Sequence, residues 1–444
     1  METDPIGSLD RVVITGPAEV LPSTFPVTKV GTEVIAAATL AIAEYAGWDE
    51  PVALDTRHAA AAVRSERHAR VMGREPPPLW DAIAGDYPTT DGWIRLHTNY
   101  PHHRAAALRV LDVPEERDVV AKVVAEWEAV ALETAIVTAG GCAAAMHTGA
   151  QWHRHAHGRE LVGTAPLTVQ RMGDGPPLEA PRAGGDAPLA GLRVLDLTRV
   201  IAGPVASRFL SGWGAEVLRV EAPGHSDGTT LAIDVGIGKR SCGLDLRRAE
   251  DRAVFERLVG GADVVVHGYR PGALAGLGYP DDALAARRPG VVLASLSAYG
   301  PVGPWAGRRG FDSLVQMSSG IAAAGAEAAG VNRPNPLPCQ LLDHATGYLL
   351  ATGIMRARRR QRDEGGTWTV RASLARTAAW LWALPRVDAL DTPEPTADET
   401  APWLETSATP WGDAVHVRPP GAIGERLPRY PRPPSRPRSD RPEW

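Results

Sequence analysis

The chain has 444 residues, 44% of them hydrophobic, which is enough for two domains with buried cores. A formal net charge of −5 excludes the broad basic field that holds nucleic acid or an anionic membrane surface. Its 3 cysteines, Cys142, Cys242 and Cys339, are distant and odd in number, which argues against a disulfide framework or a zinc knuckle.

Residues 1–10 are acidic and lack the basic and apolar regions of a signal peptide. Apolar runs such as 34–43 are too short to span a bilayer, so the expectation is a cytoplasmic protein with no membrane partner. Gly31 then opens an alanine-rich helix (TEVIAAATLAIAEYAG) followed by VALDTRHAAAA. A similar order returns late in the chain: Gly347, a helix (YLLATGIMRARRRQ), then VRASLARTAA. In that alignment Val27 stands where the second copy has Asp343, so residues 1–50 read as a degenerate partial repeat of a larger domain. Chance similarity between alanine-rich helices is the plain alternative.

Residues 51–172 read as a smaller α+β domain. There HTNYPHH, with His97, His102 and His103, starts a helix in solvated or capping roles. His153, His155 and His157 alternate in QWHRHAHG, but no carboxylate or cysteine completes a set, so no metal is expected. The stretch 173–188 (GDGPPLEAPRAGGDAP) has no hydrophobic period, which makes 173–187 a linker.

Beyond it, strands are expected at 193–198 (RVLDLT), 216–221 (EVLRVE), 241–246, 263–267 and 290–297. Helices are expected at 205–213, 249–259 and 281–286. Short apolar strands alternating with helices predict a parallel sheet covered on both faces. The fold class is therefore α/β: a doubly wound parallel-sheet nucleotide-binding domain at 188–385 plus the smaller α+β domain. Residues 386–444 are a tail, Pro/Arg-rich from about 402, expected to be extended or disordered for want of a core.

Five places in this second part carry chemistry. In LDLTRVIAGP, Gly203 and Pro204 mark a strand-to-helix turn, where free N–H groups favour phosphates or polarised carbonyls. Only Gly203 of a G-x-G-x-x-G pattern is present, so a nicotinamide site is rejected, and a plain tight turn is the rival reading. Lys239 and Arg240 are adjacent cations before a strand, whose ordinary role is a solvated loop. Tyr269 and Arg270 in HGYRPG could sandwich an adenine. Tyr299 in AYG is either a core residue at a strand end or an aromatic beside the reacting group. Asp343 in LDHATG is a lone carboxylate at a helix start; an N-cap is its ordinary role and a covalent nucleophile the sharper one, with N–H groups at 345–347 able to steady an oxyanion.

Together these blocks (PLAGLRVLDLTRVIAGPVASRFLSGWGAEVLRVE, GKRSCGLDL, ADVVVHGYRPGALAGLGY and QLLDHATGY) resemble the class III CoA-transferase family. That family includes formyl-CoA and carnitine-CoA transferases and α-methylacyl-CoA racemases. The likeness runs in order over about 188–381 and more loosely over 80–170, with the domain order permuted or fused. It implies CoA transfer from an acyl-CoA to a carboxylic acid acceptor through an aspartyl intermediate at Asp343. It implies that Lys239 and Arg240 contact CoA phosphates and that Tyr269, Arg270 and Tyr299 line the substrate. Coenzyme A would be a substrate, with no resident cofactor, and the assembly a homodimer.

The chain departs from the family pattern at several places. Ala222 and Gly276 stand where cations are common, and His267 and Gly268 replace an acidic residue and an asparagine. Phe311 in RRGFD occupies the position of the racemase histidine, leaving no base there unless His344 compensates. An acyl-CoA racemase and an inactive CoA-binding protein are the alternative readings.

Overall fold

The computed structural model describes residues 5–178, 185–224 and 227–444. Seven strands form the main sheet: β1 (Leu167–Gly173), β2 (Arg193–Leu197), β3 (Glu216–Glu221), β4 (Arg240–Gly243), β5 (Val264–His267), β6 (Val292–Ser297) and β7 (Thr367–Ser373). Their spatial order is β4-β3-β2-β5-β6-β7-β1, and only the β1–β7 pair is antiparallel. The central strands carry continuous buried apolar runs, such as Val264, Val265 and Val266, because helices cover both faces. Val264 pairs with Val194 on one side and Val292 on the other, so β5 lies beside β2 and the strand order reverses there. Crevices at the carboxyl ends of strands form at such reversals.

Five helices frame the site: α1 (Val27–Ala46), α2 (Ala202–Gly212), α3 (Asp312–Ser318), α4 (Leu341–Glu364) and α5 (Leu374–Ala383). The first half of α4 is buried on every side, between α1, α2 and the sheet. Two glycines permit this packing. A Cβ at Gly347 would overlap the Ala202 carbonyl oxygen of α2, and one at Gly353 would strike Val370 and Leu167 of the sheet.

The smaller unit has strands at Gly85–Pro88, Trp93–Leu96 and Ala143–Ala145, joined antiparallel. Helices at Pro101–Leu111, Arg117–Val124 and Ala129–Thr138 cover them around a separate core of Ile83, Tyr87, Ile94, Val120 and Leu132. The N-terminal strands Val12–Thr15 and Val52–Asp55 pair parallel, and Ala422–Ile423 adds to them.

Two segments differ from the sequence expectation. The linker begins inside the fold: residue 173 ends β1, Gly366 donates to the Gly175 carbonyl, and Thr367 Oγ1 donates to the Asp174 carbonyl. Residues 179–184 of that linker lie outside the described residues. The Pro/Arg-rich tail is ordered. It forms a hairpin (Leu404–Thr409 with Gly412–Val417), exchanges two hydrogen bonds of 2.8 Å between Asp440 and Ser241 of β4, and anchors the Trp444 indole on the Leu258 carbonyl at 2.9 Å. A segment too polar for its own core is held here by hydrogen bonds to an existing sheet edge.

Candidate active site

The turn from β2 into α2 brings the chain to the carboxyl end of the sheet. Val200 sits in this turn with φ 66°, a left-handed conformation that crowds a β-branched residue, and its N–H donates to Asp227 at 3.3 Å. Ala202 and Gly203 follow as the first two residues of α2. A Cβ at Gly203 would overlap the Thr198 side chain, so the bend needs glycine. Here lies a cavity of about 340 Å³, lined by this turn, by Tyr269 and Arg270 after β5, and by Asp343. Tyr100, His102 and His103 of the smaller unit also line it.

Four arginines, Arg199, Arg270, Arg308 and Arg309, line this cavity and give it a cationic character beside the positive end of α2. The Arg199 guanidinium lies 5.3 Å from the Tyr100 ring centre, and the Tyr100 hydroxyl donates to Asp227 at 2.6 Å. Arg308 stacks on Trp305 at 3.9 Å and donates to Glu133 and the Ala143 carbonyl. Sequence reasoning did not single out Arg199, Arg308 or Arg309 as cations of a site. In a chain with 47 basic residues, nearly all arginine, nothing in one sequence distinguishes them.

A second cavity of about 460 Å³ abuts the first, and Val200, Phe311 and Asp343 line both. Its walls include Pro76, Pro77, Leu79, Trp80 and Leu231. Phe311 is packed flat against His97, with ring centres 3.6 Å apart and planes 4° apart. Burial pulls the His97 imidazole down to about 3, so it is neutral at ordinary pH.

Asp343 is the third residue of α4 and 7% exposed. It is not the N-cap, a position held by Gln340. Asp312 of α3 serves the helix start from outside, its Oδ2 accepting the Asp343 N–H at 3.0 Å, while Gln316 donates to its other oxygen. Burial, then the charges of Asp312 and Glu66, push the Asp343 carboxyl well above the usual carboxylate range. Burial also raises Asp312, to about 6. The Glu66 carboxylate meets His344 Nε2 at 3.0 Å, so His344 is turned toward Glu66. Residues 345–347 lie past the first turn of α4, where their N–H groups bond four residues back along the helix. The expectation that these amides serve an oxyanion is corrected accordingly.

The structure brings Gly203, Tyr269, Arg270 and Asp343 to one cavity and separates four other predicted residues from it. Lys239 is the clearest correction. It is 1% exposed, and its ammonium donates to Asp196 Oδ2 at 3.0 Å, the Pro204 carbonyl at 2.9 Å and Ser207 Oγ at 2.7 Å. With its three protons used, it braces α2 against β2 and offers no donor to a phosphate. Burial draws it down to about 8, with Asp196 pulling the other way. Arg240 begins edge strand β4 and pairs with Glu216 at 2.7 Å, at the amino end of the sheet. Pro204 is buried. Tyr299 is 1% exposed, its hydroxyl 3.1 Å from Ser318 Oγ and its carbonyl 2.8 Å from His157 Nε2; it supports the site from behind, against Gly310. Near Ala222, where the resemblance leads one to expect a cation, Arg438 of the tail hydrogen-bonds the carbonyl at 3.4 Å.

Residues 189–406 match CoA-transferase family III. The chain is 34% identical over 216 residues to the "Probable fatty acyl-CoA transferase Rv3272" of Mycobacterium tuberculosis, covering 46% of this chain and 54% of that protein. It is 31% identical to the succinyl-CoA–L-malate CoA-transferase alpha subunit of Chloroflexus aurantiacus, covering 43% and 47%. The chain thus spans about half the length of these relatives. A crystal structure of the Mycobacterium tuberculosis protein aligns at TM-score 0.40 and 34% identity over 44% of this chain and 58% of that one. Among the described residues, no helix is long and apolar enough to cross a membrane.

Proposed function

We propose that this protein moves CoA from an acyl-CoA thioester to a carboxylic acid through a covalent intermediate on Asp343. The observation that carries this reading is the position of Asp343, a nearly buried carboxyl at the neck between an arginine-lined cavity and a more apolar one. The phosphates and pantetheine arm would occupy the former, and the thioester carbon would reach the neck.

The chemistry balances without a cofactor, coenzyme A being a substrate. An Asp343 oxygen attacks the thioester carbon and the C–S bond breaks, giving a mixed anhydride and CoA thiolate. The thiolate attacks Cγ of Asp343, expelling the acyl carboxylate and leaving an aspartyl-CoA thioester. The acceptor carboxylate attacks that Cγ and releases the thiolate, which then takes the acceptor acyl group and frees Asp343. Helix-start amides of α2 and the four arginines favour the negative charge carried on CoA. Because the nucleophile is the ionised carboxyl, the raised Asp343 pKa means that activity climbs as pH rises through it.

The racemase alternative lacks its base: Phe311 holds that position, His97 beside it is a poor base, and His344 is engaged by Glu66. The proposed setting is a cytoplasmic homodimer. Incubation with acyl-CoA thioesters, followed by mass spectrometry of the peptide containing Asp343, should reveal an acyl or CoA adduct. Turnover with no adduct, and unchanged turnover in Asp343→Asn, would rule out the aspartyl mechanism.

A further inference from the structure

The two cavities that share Asp343 differ in charge. One is lined by four arginines. The other carries three carboxyl groups, Glu66, Asp312 and Asp343, at its inner end, and its lining has one cation, Arg67, which is exposed and 3.9 Å from Glu66. His344 and the start of α4 already engage Glu66 and Asp312. The outer walls are apolar, built from Pro76, Pro77, Leu79, Trp80 and Leu231 and closed by Phe311. Leu79 and Trp80 are 41% and 37% exposed, an unusual outlay of apolar surface beside a cavity.

We infer that, if the transferase reading holds, the acyl and acceptor groups are apolar and monocarboxylic, seated between Trp80, Leu231 and Phe311. A second carboxylate on the acyl chain would be desolvated beside three acidic groups without a buried cation among the lining residues, an arrangement that costs far more than it returns. A cavity of about 460 Å³ suits a linear acyl chain on the order of six to eight carbons, or an aryl ring, within the usual range of ligand sites. In the transfer reaction the outgoing acid and the incoming acceptor occupy this cavity in turn, so one preference governs both.

The test uses the full chain, acetyl-CoA as a short reference, and four thioesters: octanoyl-, phenylacetyl-, succinyl- and glutaryl-CoA. The first two are expected to exceed the last two in kcat/KM by at least about tenfold. Parity or a reversed order overturns the inference while leaving CoA transfer intact. If no thioester is turned over, the transferase reading fails, and the cavity is then judged by calorimetric Kd in Asp343→Asn. There octanoyl-CoA should bind at least about tenfold tighter than succinyl-CoA, and parity overturns the inference. Leu231→Trp, which fills the cavity, should lower the octanoyl-to-acetyl ratio of kcat/KM by at least about tenfold; an unchanged ratio places the acyl chain elsewhere and also overturns it.

Discussion

The molecule contains the same helix–strand–helix arrangement twice, once closed and once open. In one, α1 leads to the strand Val52–Asp55 and the helix Thr56–Ala62; in the other, α4 leads to β7 and α5. The two long helices pack against each other. At the start of α1, Val27 is fully buried, Thr28 Oγ1 accepts from Val20 and Leu21, and Phe25 is pinned by Trp382 and Arg386. At the start of α4 the equivalent space is left open, and Asp343 faces two cavities. The start of α1 lacks a carboxyl, and the approach to it is filled with side chains.

The sharpest way to break this comparison is to exchange the chemistry. Asp343→Asn should reduce CoA transfer at least about 10³-fold in kcat while leaving CoA binding within about tenfold, since the amide is nearly isosteric but a poor nucleophile. Val27→Asp should create no second centre; a charge buried without a partner should instead destabilise the fold by about 3–5 kcal/mol in denaturant titration.

Smaller effects sharpen the contrast. Gly347→Ala should cost about 1–3 kcal/mol and lower activity by shifting α4 from α2, because the new Cβ meets backbone. Gly31→Ala at the matching position should stay within about 1 kcal/mol of neutral: its Cβ meets Val63 Cγ1 at 3.2 Å, and helix propensity offsets the contact. Arg270→Ala removes an exposed cation from the cavity and should raise KM for acyl-CoA by roughly threefold to fivefold, less at high salt. Smallest is a pH effect. Above about pH 4, the folded state keeps an Asp343 proton that the unfolded chain has lost, so stability falls as pH rises toward the raised folded value. Asp343→Asn should remove that fall, raising Tm relative to the parent by about 1–3 °C more at pH 8 than at pH 5.

Much of the sheet was legible from sequence because its strands are short, apolar and bounded by helices. The strand Glu216–Glu221 matches its reading residue for residue, and the strand read at 263–267 begins one residue later in the structure, at Val264. β7 escaped because TWTVRAS carries polar residues at alternate positions that find partners inside; Thr369 reaches the Gln170 carbonyl of β1. The glycine turn at Gly203 and the lone carboxyl at Asp343 were legible as local patterns. Lys239 was misread because sequence shows a cation's presence and hides its direction: the partner that draws it inward, Asp196, is 43 residues away. The four arginines of the cavity come from three loops far apart in the chain, so no window of sequence gathers them.

The ordered tail has a consequence for how this protein behaves in concentrated solution. Strand β4 is the outermost parallel strand, and such a border leaves unpaired amides and carbonyls that recruit strands from other molecules. Here Asp440 takes the Ser241 N–H and carbonyl, and the Arg438 N–H bonds the Ser241 hydroxyl, while prolines nearby prevent the tail from extending the sheet further. The segment thus acts as a hem, finishing the border so that it does not grow into fibrous or amorphous aggregates.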